Sequence, residues 1–233
     1  MNNFLGVIGG MGPLATADFL KKLAENTPAR TDQEHIPVML YGDCTTPDRT
    51  SSTTRHDVSP LPCLLDGIRH LQQAGARAIC IPCNSAHGWY DELAAECHVP
   101  LFHIVRASAD QVRRKNPDAR TVGVLSTLGT HQAGIYTRTL QDMGFNVASP
   151  TEYEFESLIS PGIACIKANR LTEVEQALEA AAGALRARGA DIIILGCTEI
   201  PLGMQNHIRQ HPALFVDSSE ALALTVVEFF TRA

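Results

Sequence analysis

Short runs of Val, Ile and Leu alternate along the chain with longer stretches of helical spacing. Phe4–Ile8, Pro37–Tyr41, Ala78–Ile81, Leu101–Val105, Thr121–Leu125, Asp191–Leu195 and Leu214–Val216 read as strands. They are apolar without strict alternation, the pattern of parallel strands buried on both faces. Ala15–Asn26, Pro62–Ala74, Ala133–Met143 and Leu171–Arg188 carry apolar residues at helical spacing, and Gly75, Gly144 and Gly189 follow as stop signals. This alternation predicts an α/β fold with parallel sheets flanked by helices.

The pattern is also written twice. Gly6-Val7-Ile8-Gly9-Gly10-Met11-Gly12 aligns with Gly123-Val124-Leu125-Ser126-Thr127-Leu128-Gly129, the flanking glycines six apart in each. Gly75-Ala76 precedes Cys83 and Gly189-Ala190 precedes Cys197, with eight residues from glycine to cysteine both times. The first glycine of each half lies 69 and 66 residues before the later one. A third piece follows, Pro100-Leu101-Phe102 against Ala213-Leu214-Phe215. Gly-Ala before an apolar strand is common, but three matches in one order at nearly constant spacing predict two similar α/β lobes. Each carries one cysteine at an equivalent position.

Composition narrows the function classes. The chain has 233 residues, 45% hydrophobic and 19% charged, as expected of a globular protein with one large domain or two small lobes. Net charge is -6 with no long basic run, which disfavours a nucleic-acid partner. The start lacks a basic leader region, and no apolar run approaches the roughly 20 residues of a membrane span. Seven cysteines, an odd number in no secreted-scaffold pattern, suit a reducing cytoplasm.

Cys83 and Cys197 end apolar strands, and ligands bind outside the carboxyl ends of parallel strands. Cys83 leads into Asn84-Ser85 and Cys197 into Thr198, residue types that cap helices. A thiol at a helix start meets the positive end of the dipole, so a lowered pKa is expected at both. Free cysteine otherwise packs as a small hydrophobe, which is the reading for Cys63, Cys80, Cys97 and Cys165, with Cys44 undecided. Two lobes facing each other would set the thiols on opposite sides of one cleft. One thiolate would then take an α-proton while the other thiol protonates the opposite face.

The residues Ile81-Pro82-Cys83-Asn84-Ser85-Ala86-His87 and Leu195-Gly196-Cys197-Thr198-Glu199-Ile200 resemble the two cysteine motifs of the aspartate/glutamate racemase family. Gly9-Gly10-Met11-Gly12-Pro13-Leu14-Ala15-Thr16 and Pro47-Asp48-Arg49-Thr50 are similar to its aspartate racemase branch, so the resemblance spans nearly the whole chain. It implies a pseudo-symmetric two-lobed fold with the site in the cleft between the lobes. The first lobe would hold residues 1–100 and 212–233, the second 101–211, the last strand and helix returning to the first. It also implies a homodimer with no pyridoxal phosphate, metal or nucleotide.

The implied roles are Cys83 and Cys197 as acid and base, with Asn84, Ser85, Thr127 and Thr198 donating to the substrate α-carboxylate. Ser85 stands where many relatives have threonine. Arg49 and Lys167 would hold a side-chain carboxylate, the guanidinium bidentately and the lysine as a point charge. Met11 and Gly12 would shape the loop over the substrate, and His87 and Glu199, close after the cysteines, would tune their protonation.

Rival readings stay open. A broad-specificity racemase of the same superfamily would share the cysteines, and a non-catalytic amino-acid-binding protein would share the donors. Two cations disfavour a hydantoin substrate. Gly9-Gly10-Met11-Gly12 lacks both the Gly-Lys-Ser/Thr ending of a phosphate loop and a dinucleotide fingerprint. The one Cys-x-x-Cys spacing, Cys80-Ile81-Pro82-Cys83, has no second pair or His/Cys cluster at ligand spacing to go with it, so redox or metal chemistry is disfavoured.

Overall fold

The computed structural model describes residues 3–171 and 174–232. Its eight strands form two parallel sheets. The first contains β1 (Leu5–Gly9), β2 (Val38–Gly42), β3 (Ala78–Cys80) and β4 (Leu101–Phe102), in the order β2-β1-β3-β4. The second contains β5 (Thr121–Ser126), β6 (Asn146–Ala148), β7 (Ile192–Gly196) and β8 (Phe215–Asp217), in the order β6-β5-β7-β8. The two orders are the same, element for element.

The repeated glycines explain why both halves need them. Gly6 pairs with Ile79 in the first sheet, and Gly123 with Ile193 in the second. A Cβ on Gly6 would lie 3.0 Å from Leu71 of the helix Leu61–Gln73. One on Gly123 would lie 3.3 Å from Leu185 of the helix Glu175–Ala187. Each glycine therefore lets the equivalent helix press onto its sheet. Those helices end at Gly75 and Gly189, with φ of 88° and 87°, the left-handed conformation that glycine adopts at least cost.

Three apolar clusters hold the molecule. One belongs to each lobe, around Leu64, Ile68 and Ile79 in the first and Leu178, Leu185 and Ile193 in the second. The third joins them. It combines Leu5 and Val7 of β1, Val122 and Val124 of β5, and residues of the helices Pro13–Asn26, Ile104–Lys115 and Ser218–Thr231. Lys22 adds an ion pair across this seam to Asp217 at 2.5 Å and a second to Asp18. Among the described residues no helix is long and apolar enough to cross a membrane.

Several sequence expectations shift. The last strand does not return to the first lobe: β8 pairs with β7, and only the terminal helix reaches back, packing on Pro13–Asn26 and Ile104–Lys115. The boundary at residue 100 also moves, because Leu101–Phe102 pairs with β3. Both changes follow the internal repeat, which makes β4 and β8 equivalent. The expected strand Leu101–Val105 stops early, because His103 accepts the Val105 N–H and starts a helix at Ile104. β6 went unread, as three residues carry too little pattern. The expected helix Leu171–Arg188 runs Glu175–Ala187, and residues 172–173 of it lie outside the described residues.

Gly10 fixes the loop that leaves β1. Its φ is 88°, and a Cβ there would sit 2.6 Å from the Asp43 carbonyl carbon. Gly10→Ala is expected to cost roughly 2 kcal/mol or more, lowering the thermal midpoint by about 5 °C. A midpoint equal to the parent protein's would show that this backbone can move aside.

Candidate active site

Cys83 is the third residue after β3 and Cys197 directly follows β7, so equivalent strand ends deliver both. They are 6% and 4% exposed. Both line one small cavity between the lobes. The first lobe contributes Met11, Arg49, Thr50, Cys83, Asn84 and Ser85; the second contributes Thr127, Lys167, Cys197, Thr198 and Glu199. Residues as far apart in the chain as Met11 and Glu199 thus converge, while His87 and Gly12, also expected at the site from sequence, do not line the cavity.

Each lobe reaches into the other from two positions past its cysteine. Ser85 Oγ lies 3.0 Å from Thr127 Oγ1 and 2.8 Å from Thr130 Oγ1 in the second lobe. Glu199 Oε1 accepts the Gly12 N–H of the first lobe at 3.1 Å. The second repeated glycines sit at the same seam. A Cβ on Gly129 would lie 2.7 Å from Thr50 Cα, and one on Gly12 would lie 3.2 Å from Glu199 Oε1. Thr198 Oγ1 donates to the Pro82 carbonyl at 3.3 Å, tying one cysteine loop to the other.

The two thiols differ in their surroundings. Cys197 Sγ donates to Glu199 Oε2 at 3.2 Å. Burial pushes this thiol well up, and the Glu199 carboxylate adds to the effect; the Glu199 backbone N–H and Lys167 oppose it without reversing it. The lowered pKa expected at a helix start is thus overturned at Cys197. The helix beyond it, Ile200–Gly203, has four residues and too little dipole to offset a buried carboxylate. Nor do Asn84 and Thr198 cap helices through their side chains, which are turned toward the opposite lobe instead.

Arg49 is a buried cation. Its guanidinium donates to the carbonyls of Thr46 at 3.2 Å, Pro47 at 3.0 Å and Met11 at 3.2 Å. These take three of its five N–H groups, leaving the second Nη2 proton and Nε, which has no protein partner. Among the described residues no carboxylate lies within ion-pair distance of it. Lys167, at the end of the helix Ser160–Lys167, brings a second, exposed cation to the cavity.

His87 faces away from the thiols. Nδ1 lies 2.9 Å from the Cys83 carbonyl, and Nε2 accepts the Ile104 N–H at 3.2 Å. It therefore ties the Cys83 loop to the start of the helix Ile104–Lys115 and has no ring nitrogen left for proton transfer. Sequence reasoning missed Thr50, Thr130, Tyr136 and Ser218. Two of these had a signal: Thr50 ends the Pro47-Asp48-Arg49-Thr50 motif, and Thr130 stands three residues after Thr127, whose Oγ1 accepts its N–H at 3.1 Å. Of the cysteines read as packing residues, Cys80 is buried and Cys63, Cys97 and Cys165 half-buried, while Cys44 is exposed. Among the described residues no three His, Cys, Asp or Glu side chains gather into a metal site.

This architecture is the two-lobed α/β racemase fold. A family model described as Asp/Glu/hydantoin racemase matches residues 8–226, and the chain belongs to that family; it is an isomerase of the racemase class. It is 30% identical over 230 residues to a broad-specificity amino-acid racemase of Bacillus subtilis, covering 97% of each chain. It is also 30% identical to the aspartate racemase structure from Picrophilus torridus, with a TM-score of 0.86 over 98% of this chain and 94% of that one. A glutamate racemase of Aquifex pyrophilus is 30% identical over 162 residues, 68% of this chain and 61% of the relative.

The buried His87 and the half-buried His103 are expected to make stability depend on pH. Burial lowers His87 to about 4, and burial together with the charges of His87 and Arg106 lowers His103 to about 3, both from 6.5. Below pH 6.5 the unfolded chain binds protons that the folded one does not, so stability falls as pH falls toward 4. Each histidine contributes up to about 1.4 kcal/mol per pH unit across that window. Urea unfolding between pH 7 and 4.5 is expected to show this slope, and His87→Gln to flatten it. An unchanged slope in the variant would remove His87 as a source.

Proposed function

We propose that this racemase inverts the α-carbon of an acidic amino acid, aspartate or glutamate, using Cys83 and Cys197 as its two bases. The observation that carries the reading is the pair of equivalent cysteines lining one interlobe cavity together with a buried Arg49 whose Nε has no hydrogen-bond partner. A side-chain carboxylate docks on the free Nε and Nη2 protons of Arg49, with Lys167 adding charge. Desolvating a cation without a counter-ion is costly, so the site is electrostatically prepared for an anion. The α-carboxylate takes donors from Asn84, Ser85 and Thr127, and from the Thr198 hydroxyl once its proton turns from the Pro82 carbonyl to the substrate.

Cys197, raised by burial and Glu199, enters the cycle as the thiol. Cys83, as thiolate, removes the α-proton; the C–H electron pair passes onto the α-carbon and its carboxylate, and the donors around that carboxylate stabilise the charge. The Cys197 S–H then protonates the opposite face, leaving a thiolate there and a proton on Cys83. The opposite enantiomer runs the steps in reverse. Glu199, hydrogen-bonded to Cys197, is the local acceptor for its proton when Cys197 must become the base.

A broader substrate range is the second reading, favoured by the Bacillus subtilis relative. Proton NMR in D2O with L-aspartate or L-glutamate and no added cofactor tests both. Loss of the α-proton signal with appearance of the D-enantiomer supports the proposal. Comparable turnover of neutral or basic amino acids favours the broader range, and exchange with none of them overturns both.

Cys83→Ala and Cys197→Ala are each expected to cut racemisation by about 10³-fold or more while the thermal midpoint stays near that of the parent. Near-normal turnover in either variant would sink the two-base mechanism. Arg49→Ala is expected to lower kcat/KM for acidic substrates by about 100-fold, a charged hydrogen bond being lost, and to affect a neutral amino acid far less. Equal losses on both would exclude Arg49 as the side-chain clamp.

A further inference from the structure

Tyr136 and Ser218 belong to neither the repeat nor the cysteine motifs, yet both are buried second-lobe residues in contact with Asn84 of the first. Ser218 Oγ donates its proton to the Leu195 carbonyl at 2.7 Å. With that proton engaged, its oxygen can only accept, and Asn84 Nδ2 donates to it at 2.9 Å. At the other end of the carboxamide, Tyr136 donates its phenolic proton to Asn84 Oδ1 at 2.6 Å. Ser108 lies 3.3 Å from the same phenol, but its own proton goes to the Ile104 carbonyl at 2.8 Å. With the Ser218 proton on Leu195, the carboxamide sets its nitrogen toward Ser218 and its oxygen toward Tyr136.

That orientation matters to an anion. Asn84 lines the cavity. Held this way, its nitrogen keeps a second N–H beyond the one given to Ser218. Turned over, the amide would leave its oxygen where that N–H stands, repelling a carboxylate. Ser218 and Tyr136 are themselves anchored close to the second cysteine motif. Leu195 is two residues before Cys197, and a Cβ on Gly196 would lie 2.9 Å from Tyr136 Cε2, so the ring rests against the residue preceding that cysteine.

We propose that Tyr136 and Ser218 are positioning residues that lock the Asn84 carboxamide with a free N–H for the substrate α-carboxylate, building that donor only when both lobes are docked. The inference rests on the reading of Asn84 as a substrate donor given above. It adds two residues of the second lobe that act through Asn84 without touching substrate.

Two measurements on the full-length protein test it. In isotope-edited NMR of the ligand-free protein, the Asn84 carboxamide protons, assigned by their loss in Asn84→Ala, are expected to be protected from solvent exchange. Tyr136→Phe, which deletes only an oxygen, and Ser218→Ala are each expected to abolish that protection. Protection unchanged in both variants overturns the lock. In the D2O assay with L-aspartate or L-glutamate, Tyr136→Phe is expected to lower kcat/KM by about tenfold or more, chiefly through KM.

In an Asn84→Ala background, Tyr136→Phe should then cause no further loss, because its effect passes through the missing amide. A full additional loss would show a merely structural role and overturn the proposal. Should Asn84→Ala itself keep parental turnover, Asn84 is no substrate donor and the inference falls with that premise. The NMR result separates this outcome from the absence of a lock.

Discussion

The site depends on the two lobes being closed against each other at the ends of β3 and β7. Neither half holds a complete site. Ser85 needs the hydroxyls of Thr127 and Thr130, Glu199 needs the Gly12 N–H, and Thr198 needs the Pro82 carbonyl. Each of these bonds crosses the seam, and the contributing residue lies within two positions of a cysteine. The shared apolar cluster between the sheets supplies the non-directional attraction, and the polar bonds supply the register. Small residues permit the approach: a side chain on Gly129 would collide with Thr50 backbone, and one on Gly12 would press on Glu199.

Much of this frame was legible because it is repeated. Gly6 and Gly123 recur since each half needs the same helix-on-sheet contact, and a constraint met twice leaves two marks in one chain. The cysteine positions followed from the same spacing. What the repeat could not carry was anything held by one half alone. β6 also went unread, being three residues long, although it is the equivalent of β2. The expectation that β8 returns to the first sheet came from resemblance, and the repeat itself argued against it. His87 looked like a tuning group by its distance along the chain. Its ring is instead held by backbone groups of Cys83 and Ile104, a direction that no spacing encodes.

Electrostatics were the least legible part, since they depend on burial and on partners distant in sequence. A cysteine before a short helix suggested an acidic thiol. At Cys197 burial and the carboxylate of Glu199 reverse that expectation, and four helical residues supply little to resist them. Arg49 shows the opposite case. Its motif marked it correctly for the cavity, but only the structure reveals that backbone carbonyls take three of its donors and that the Nε proton is left over. Those carbonyls fix the guanidinium plane, which is what a bidentate contact requires of the group that makes it.

A racemase must treat both faces of one carbon, and a duplicated frame is a direct way to present the same side chain to each. Full symmetry would nevertheless be a fault. In the proposed two-base mechanism two thiolates in one cavity would repel each other and two thiols would contain no base, so the cycle would start with one proton between the pair. The positions two residues past each cysteine break the symmetry: a neutral hydroxyl stands at Ser85 and a carboxylate at Glu199. Placing the carboxylate beside only one thiol makes that thiol the natural keeper of the proton, as the raised pKa of Cys197 indicates. On that proposal the duplication sets the geometry of the inversion, and one departure from it sets where the cycle begins.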